Sequence, residues 1–513
     1  MHQRPSPPPS QARARPAQVA ALAAPPPTGR NRPDASAPAP LQNATCPIGP
    51  AKDTACSARR RDEPARRTIQ RGRLAHPGQR SGATVTKQPE GSERPHVGTF
   101  EALRYRYYRL LWIGDLCAAA AQWMQQTALS WVAYDLTGSG GSLGLMNLMR
   151  TFPTLFLSPV AGVASDRLPR NRIIGVSQAA MVVLTVLLAL DIAAGSLRVW
   201  HLFAFSFFAA AAQAFYIPAR QTFVFELVPR HVIPNAVALS WLAFSLSRSV
   251  GPALGGAMIV AVGPSKNFLL QAVAFSGVIV AVLFIRVARA ERPAGQKSFI
   301  AGLKEGYGFA FFDPRARILV GMSLIAPLFI IPLHGALLPI FAKHVFHGDA
   351  STLGILAGSI GFGGLFGGVL TAYLSHVDRR VLLGLGALLI FSGCEVIFSI
   401  IAGYTGSLLL AVPFLVIAGT AESVYATTSM TVLQLLAPEH LRGSIASVLQ
   451  LGFLAMPIGA LVAGVSADMF GAPVVGATIT LIAFSLGLAI FVSSPAMRQL
   501  RLSELQPSSG PAA

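Results

Sequence analysis

The sequence predicts an all-α membrane protein whose twelve transmembrane helices form two pseudo-symmetric six-helix bundles. Three observations lead to this fold class. The 513 residues are 52% hydrophobic and only 12% charged, whereas soluble domains carry about 25% charged residues. Twelve apolar segments are each long enough to cross a bilayer, and one long polar break separates the first six from the last six. Lipid offers no partner to backbone polar groups, so these segments must be helical.

Residues 1–98 precede the first apolar segment and form a basic tail rich in Pro, Ala and Arg, with 16 Lys and Arg against 6 Asp and Glu. A segment without an apolar period cannot offset the entropy of ordering. We therefore predict that the tail is disordered. Contact with anionic lipid or nucleic acid and a later translation start near Val97 remain alternatives, but we expect no nucleic-acid partner.

The twelve apolar segments follow one another from residue 110 to residue 493. A helix needs about 20 apolar residues to cross the hydrocarbon core. The predicted spans are 110–133, 143–165, 173–194, 200–218, 236–262, 267–286, 317–341, 352–375, 381–403, 407–430, 444–467 and 472–493.

The distribution of Lys and Arg predicts the orientation. If the chain starts in the cytoplasm, 20 of the 25 basic residues after the tail fall on the inner side and 3 fall in outer loops. Cytoplasmic loops carry an excess of Lys and Arg. We therefore expect a multi-pass protein of the inner (plasma) membrane with both termini cytoplasmic.

The polar break between the sixth and seventh spans predicts the domain boundaries. The stretch ELVPRHVIPNAVAL after the fourth span resembles QLLAPEHLRGSIAS after the tenth, which indicates an internal repeat. Two related bundles with a site between them are typical of rocking transporters. The predicted boundaries are 1–98 for the tail, 99–293 for the N-terminal bundle, 294–315 for a cytoplasmic linker, 316–495 for the C-terminal bundle and 496–513 for a C-terminal tail.

A charged turn between the second and third spans follows the pattern G-x-x-x-D-R-x-x-R, formed by Gly162, Asp166, Arg167 and Arg170. With the twelve spans, this turn resembles the signature of the major facilitator superfamily. The resemblance implies a gating loop that stabilises the closed cytoplasmic side. The alternative is that the arginines serve only to orient the chain in the membrane.

A second pattern, GPALGG, lies in the fifth span at Gly251, Pro252, Gly255 and Gly256. It resembles the antiporter motif of the drug-exporting branches of that superfamily. The resemblance implies export, whereas ordinary packing of helices through small residues is the alternative.

Longer stretches carry a finer resemblance that covers roughly residues 99–495. They are FEALRYRYYRLLWIGD and WMQQTALSWVAYDLTGS at the first span, PARQTFVFELVPRHVIPNAVAL after the fourth span and LRGSIASV before the eleventh. They resemble the proton-antiporter branch that includes the enterobactin exporter and macrolide-efflux proteins, also described as transmembrane secretion effectors.

Ionisable residues within the spans are costly and need a partner or a function. Asp115 in the first span and Glu422 in the tenth are the predicted proton-coupling carboxylates, one in each bundle, with Arg248 in the fifth span as a partner. Fixed salt bridges are the alternative. Glu395 stands alone in the ninth span, and His334 is expected to pack beside a bent seventh helix.

Other polar and aromatic side chains within the spans predict a water-filled substrate cavity. Gln122 and Gln126 lie on the same helical face as Asp115. Arg150, Arg220 and Arg248 could attract an anion. The cavity candidates are Gln122, Trp123, Gln126, Asn147, Arg150, Gln213, Tyr216 and Tyr425.

The apolar spans and the polar residues within them predict a secondary active transporter. The resemblance implies that it exports a drug-like or siderophore-like molecule in exchange for protons. The sequence has no phosphate-binding GxxxxGK[ST] loop, so we expect the proton gradient as energy source, no cofactor and no enzymatic activity. We expect a monomer whose partners are a small-molecule substrate and the lipid bilayer. A lysophospholipid transporter and a non-transporting receptor or regulator on the same scaffold are the alternatives.

Overall fold

The computed structural model describes residues 98–285, 312–437 and 455–495. Nearly all of the predicted basic tail, most of the predicted linker, the start of the eleventh predicted span and the C-terminal tail lie outside these residues. The second copy of the internal repeat also lies largely outside them.

The described residues are helical and contain no β-strand. The long helices before the polar break are α1 Arg106–Thr137, α2 Gly140–Arg167, α3 Arg170–Ala193, α4 Val199–Leu227, α5 Ile233–Val262 and α6 Pro264–Phe284. Those after it are α7 Pro314–Val345, α8 Ala350–Tyr373, α9 Arg380–Thr405, α10 Leu408–Leu436, α11 Ala455–Phe470 and α12 Ala472–Ser493. Within the described ranges, the nine helices α3 to α10 and α12 are long and apolar enough to cross a membrane.

Helix α7 is irregular along most of its second half. It contains three π-helical stretches, Ala326–Ile330, Leu333–Leu337 and Phe341–Val345. Prolines within a helix remove backbone donors and disturb the regular hydrogen-bond ladder, and α7 carries Pro327, Pro332 and Pro339. The predicted bend in this helix therefore takes the form of repeated π-helical turns.

The turns between helices use the residue types that their geometry demands. Gly138 ends α1 in the left-handed conformation, with φ of 62°, which a residue without a Cβ adopts at little cost. Gly263 and Gly471, which join α5 to α6 and α11 to α12, have nearly equal φ values of 84° and 83°. Asp313 and Asp349 accept backbone N–H groups at the starts of α7 and α8.

The helices pack in a pattern that repeats after a shift of six. Helix α2 packs on α4, α3 packs on α4 and α6, and α1 packs on α5 and α6. In the same way α8 packs on α10, α9 packs on α10 and α12, and α7 packs on α11 and α12. Two extensive contacts join the two sets, α5 with α8 and α2 with α11, and these pairs are also related by the shift of six.

Small residues permit these two joining contacts. A methyl group added at Gly354 of α8 would lie 2.7 Å from the Pro252 carbonyl oxygen of α5, and one added at Gly140 of α2 would lie 2.6 Å from the Gly464 carbonyl oxygen of α11. Close approach of helix backbones needs glycine at such positions. The two sets of helices therefore touch backbone to backbone along these seams.

We call the end of the molecule with the α1–α2 turn the opposite face, and the end where α1 begins the N-terminal face. At the opposite face the Asp468 carboxylate accepts the Ser139 hydroxyl at 2.7 Å and the N–H groups of Gly140 and Gly141 at 2.6 and 3.0 Å. An acid at a helix N-terminus is favourable, because free N–H groups and the helix dipole point at it. Polar contacts therefore hold α11 of one set against α2 of the other at this face.

The N-terminal half of the molecule is more open along α2. Phe152, Phe156, Val160 and Val163 of this helix are about half exposed. Leu143 and Met146, nearer the opposite face, are buried. The close backbone contacts between the two sets at Gly140 and Gly354 also lie in the half of the molecule nearest the opposite face.

The close approach of α8 to α5 predicts that alanine substitutions at two glycines of α8 have different effects on the Tm. Gly354→Ala places a methyl group against Pro252, and overpacking of this kind costs about 1–3 kcal/mol. We expect a lower Tm for the purified protein, by roughly 2–4 °C for each kcal/mol. Gly364→Ala is the matched control, since nothing lies within 4 Å of its added methyl group, and its Tm should not fall. Equal Tm values for the two variants would contradict this packing.

Candidate functional site

A cavity lies at the junction of the two sets of helices. Its volume is about 90 Å³, and it is lined by α1, α2 and α5 on one side and by α7 and α8 on the other. Its polar or aromatic lining residues are Trp123, Gln126, Thr127, Ser130, Asn147, Arg150, Arg248 and His334.

An ion pair between Arg248 and Glu422 crosses from one set of helices to the other. The Arg248 Nη2 lies 2.7 and 2.6 Å from the two carboxylate oxygens of Glu422. The guanidinium also lies 5.8 Å from the centroid of the Trp123 ring. The prediction placed Arg248 beside a coupling carboxylate, and the structure brings it against Glu422 of α10, at the wall of the cavity.

Arg150 also reaches the cavity but has a different partner. Its Nη2 donates to Oε1 of Gln126 at 3.2 Å. One turn away, the Asn147 amide donates to the carbonyl oxygens of Leu143 and Gly335 at 2.9 and 3.3 Å and so ties α2 to α7. An arginine at the centre of a membrane costs at least roughly 2.5–3.5 kcal/mol on insertion scales, so its position in a polar cavity limits that cost.

Glu395 does not stand alone, contrary to the prediction. Its Oε1 lies 2.7 Å from Nε2 of His334, across the α7–α9 interface. Glu395 is fully buried, and its Oε2 has no hydrogen-bond partner within the described part of the chain. His334 lies within the second π-helical stretch of α7 and also lines the cavity. The expectation that His334 only packs beside a bent helix missed this contact, because α7 and α9 are distant in sequence.

Asp115 lies in a separate cluster inside the first set of helices. Its Oδ2 accepts Nε of Arg220 at 2.6 Å and its Oδ1 accepts the hydroxyl of Tyr216 at 2.7 Å. The carboxylate is buried, and these two contacts join α1 to α4. The fourth predicted span ended at residue 218, but α4 continues to Leu227 and places Arg220 inside the helix.

The predicted cavity residues divide into two groups. Trp123, Gln126, Asn147 and Arg150 line the cavity. Gln122, Gln213, Tyr216 and Tyr425 are not among its lining residues. Tyr425 is buried in the second set of helices, where its hydroxyl donates to the carbonyl oxygen of Met322 at 2.6 Å.

The signature turn connects α2 to α3 at the N-terminal face. Arg170, the first residue of α3, pairs with Glu226 near the end of α4 and donates to the Thr222 carbonyl oxygen at 3.2 Å. Asp166 and Arg167 occupy the last turn of α2. A methyl group added at Gly162 would meet nothing within 4 Å. In this conformation Arg170 thus ties α3 to α4 within one set of helices.

The GPALGG segment packs α5 on two neighbours at once. Methyl groups added at Gly251 and Gly255 would lie 2.6 Å from the Trp123 Cβ and 2.9 Å from the Met124 Cα, both on α1. Gly256 faces Ala350 of α8 instead. The motif therefore allows α5 to lie close to a helix of its own set and to one of the other set. Pro252 lines the cavity between them.

Comparison with known proteins places this architecture among membrane transporters of the major facilitator superfamily, which are not enzymes. Residues 97–511 match the model of the family described as transmembrane secretion effector. The chain belongs to this family, as its sequence resemblance implied, and is a multi-pass membrane protein.

Curated proteins with similar sequences are transporters. The chain is 27% identical over 404 residues to the multidrug efflux pump Tap of Mycolicibacterium fortuitum, covering 77% of this chain and 97% of the pump. It is 24% identical over 378 residues to macrolide efflux protein A of Streptococcus pyogenes, covering 72% and 91% of the two chains. It is 21% identical over 352 residues to the staphyloferrin A transporter of Staphylococcus aureus, covering 68% and 86%.

Solved structures share the fold at lower identity. A bacterial homologue of the human lysosomal transporter Spinster, in an inward-facing and unoccupied conformation, superposes with a TM-score of 0.59 at 17% identity, covering 78% of this chain and 98% of that one. The nucleoside transporter NupG gives a TM-score of 0.59 at 13% identity, covering 77% and 99%.

The buried cluster around Asp115 predicts a loss of stability that depends on whether the Arg220 charge is still present. Asp115→Asn leaves the Arg220 charge without a carboxylate, and removing one partner of a buried pair costs about 3–5 kcal/mol. We expect a markedly lower Tm in detergent. The double variant Asp115→Asn with Arg220→Gln should recover most of the loss, because neither charge remains.

The control for this experiment is Glu101→Gln, which removes an acid from a short helix at the N-terminal face. Its Tm should stay near that of the unmodified protein. If the double variant has no higher Tm than Asp115→Asn alone, the loss of stability does not come from breaking the ion pair.

Proposed function

We propose that the protein is an exporter that moves a small molecule out of the cytoplasm by alternating access, driven by inward movement of protons. In this proposal all twelve long helices cross the plasma membrane, the N-terminal face is cytoplasmic, and α1–α6 and α7–α12 form two bundles that rock about the cavity. The packing pattern that repeats after six helices supports the two bundles, and the excess of Lys and Arg at the N-terminal face supports the orientation.

The observation that carries the proposal is a polar cavity at the seam of the two bundles, where the lining residue Arg248 forms an ion pair with Glu422 of the other bundle. The contacts at Asp468 and along the glycine seams close the opposite face, while the cytoplasmic half of α2 is exposed. This is the arrangement expected of a transporter that is ready to load substrate from inside. Alternating access requires a site at the interface of two repeats and a closure on one side at a time.

Glu422 is the coupling carboxylate that the geometry favours. Its partner Arg248 belongs to the other bundle, so protonation of Glu422 would remove the negative charge that holds α5 to α10. A ligand, here a proton, shifts a conformational equilibrium only through different interactions with the two states. Asp115 is less suited to this step, because its partners Arg220 and Tyr216 move with its own bundle.

The His334–Glu395 pair is a second candidate for the proton pathway. His334 faces the cavity and Glu395 is buried behind it. Histidine exchanges protons near neutral pH. A proton entering from the cavity would therefore meet His334 before it reaches Glu395, and the π-helical turn around His334 gives that segment an irregular backbone, which is frequent at functional sites.

The signature turn would act in the other half of the cycle. In the cytoplasm-open state, Arg170 is engaged with Glu226 inside its own bundle. Closure of the cytoplasmic side would bring the α2–α3 turn near the ends of the second bundle, where the charges of this turn would stabilise the closed state.

The substrate classes of the relatives, drugs, macrolides and a siderophore, define the candidates for export.

The coupling role of Glu422 predicts a specific loss in proteoliposomes. The probes are a labelled macrolide and labelled staphyloferrin A, tested under an imposed pH gradient. For a probe that the unmodified protein exports, Glu422→Gln should reduce gradient-driven export at least about 10-fold, a barrier change of roughly 1.4 kcal/mol. Gradient-free exchange of labelled for unlabelled probe should persist, since exchange needs no net proton movement.

Glu101→Gln serves as the control, because it also removes one negative charge but lies outside the cavity. Gradient-driven export that survives in Glu422→Gln would exclude Glu422 as the coupling group and direct attention to the His334–Glu395 pair.

A further inference from the structure

We propose that the exported molecule carries an anionic group, such as a carboxylate, which binds the guanidinium of Arg150. This inference rests on the proposed export function and narrows its substrate class. The acidic residues of the spans and the charge of the cavity together support it.

Three acidic residues lie in the interiors of the long helices, and each has a basic partner. Asp115 pairs with Arg220, Glu395 contacts His334, and Glu422 pairs with Arg248. In this conformation these three acids are therefore paired with other side chains and do not neutralise Arg150.

The cavity walls contribute no further acid that could neutralise Arg150. Among the wall helices α2, α5, α7 and α8, the printed sequence has no Asp or Glu except Asp166 in the last turn of α2. In α1 the acids are Asp115 and the terminal Asp135, which pairs with Lys343 at the opposite face. Residues 443–467, which include the whole eleventh predicted span, also contain no acid.

Arg150 is thus the cation of the cavity whose charge is not balanced within the described residues. Its contact is the neutral amide of Gln126 at 3.2 Å, and its side chain is exposed to the cavity. Arginine remains protonated in proteins. Because Arg248 is balanced by Glu422, the net positive charge of the cavity is centred on Arg150, and its planar donors suit a carboxylate.

The surroundings of Arg150 indicate what the rest of the ligand looks like. The Trp123 ring borders the cavity and makes an edge contact with Phe244 at 5.8 Å. Leu338, Leu353 and Ile360 supply apolar surface on the other bundle. An aromatic or apolar body with one acidic group fits this lining, so the site suits an acidic metabolite or an acidic siderophore better than a neutral or basic molecule.

Two matched pairs of probes test this inference on the full chain in lipid nanodiscs. Indole-3-acetate and 1-naphthoate are compared with their neutral amides, indole-3-acetamide and 1-naphthamide, by isothermal titration calorimetry. We expect each acid to bind at least about 10-fold more tightly than its amide. In Arg150→Gln this preference should vanish, whereas Arg150→Lys should retain part of it, because the charge remains.

Lys266→Gln is the matched control, since it removes a cation that is exposed at the start of α6, and it should keep the full preference. The inference is overturned if acids and amides bind alike, if no acid binds, or if the preference survives in Arg150→Gln. Failure of the export proposal is recognised separately, because the unmodified protein would then export neither the macrolide nor the siderophore probe.

Discussion

The ion pair between Arg248 and Glu422 is the interaction on which the rest of the account depends. It lies near the middle of α5 and α10, at the wall of the cavity, and its two partners belong to different sets of helices. Both side chains are partly buried, with 27% of Arg248 and 13% of Glu422 exposed, so neutralising one would leave the other charge without its partner. Any change of protonation or ligation at this pair therefore acts directly on the interface between the sets, which links the chemistry of the cavity to the shape of the molecule.

Small residues and the Asp468 carboxylate bring the two sets of helices together at the opposite face. The α5–α8 and α2–α11 seams bring backbones together at glycines such as Gly140 and Gly354, and Asp468 caps α2 from α11. Neither seam carries large interlocking side chains at these positions. Backbone contacts of this kind can separate without repacking a core, whereas the Asp115–Arg220 cluster keeps α1 and α4 together within one set.

Much of the fold was predictable from the sequence, because the length and polarity of each segment decide whether it can lie in lipid. Trp123, Gln126 and Arg150, which line the cavity, were among the candidates chosen from polar and aromatic side chains within apolar helices. The partners were not predictable in the same way. The contact of His334 with Glu395 and that of Asp115 with Arg220 join residues 61 and 105 positions apart, and helical spacing reports only neighbours on the same helix.

The most direct measurement of the central claim is a pair of distances between spin labels, one at each face. Leu136 and Met469 are exposed at the opposite face, and Leu168 and Tyr373 are exposed at the N-terminal face. Cysteines at these positions, in a chain without its four natural ones, are labelled and measured by pulsed EPR at neutral and acidic pH. If protonation releases the Arg248–Glu422 pair, acid lengthens the Leu136–Met469 distance and shortens the Leu168–Tyr373 distance together. Distances that do not change, or that change in the same direction, would contradict an exchange of access between the two faces.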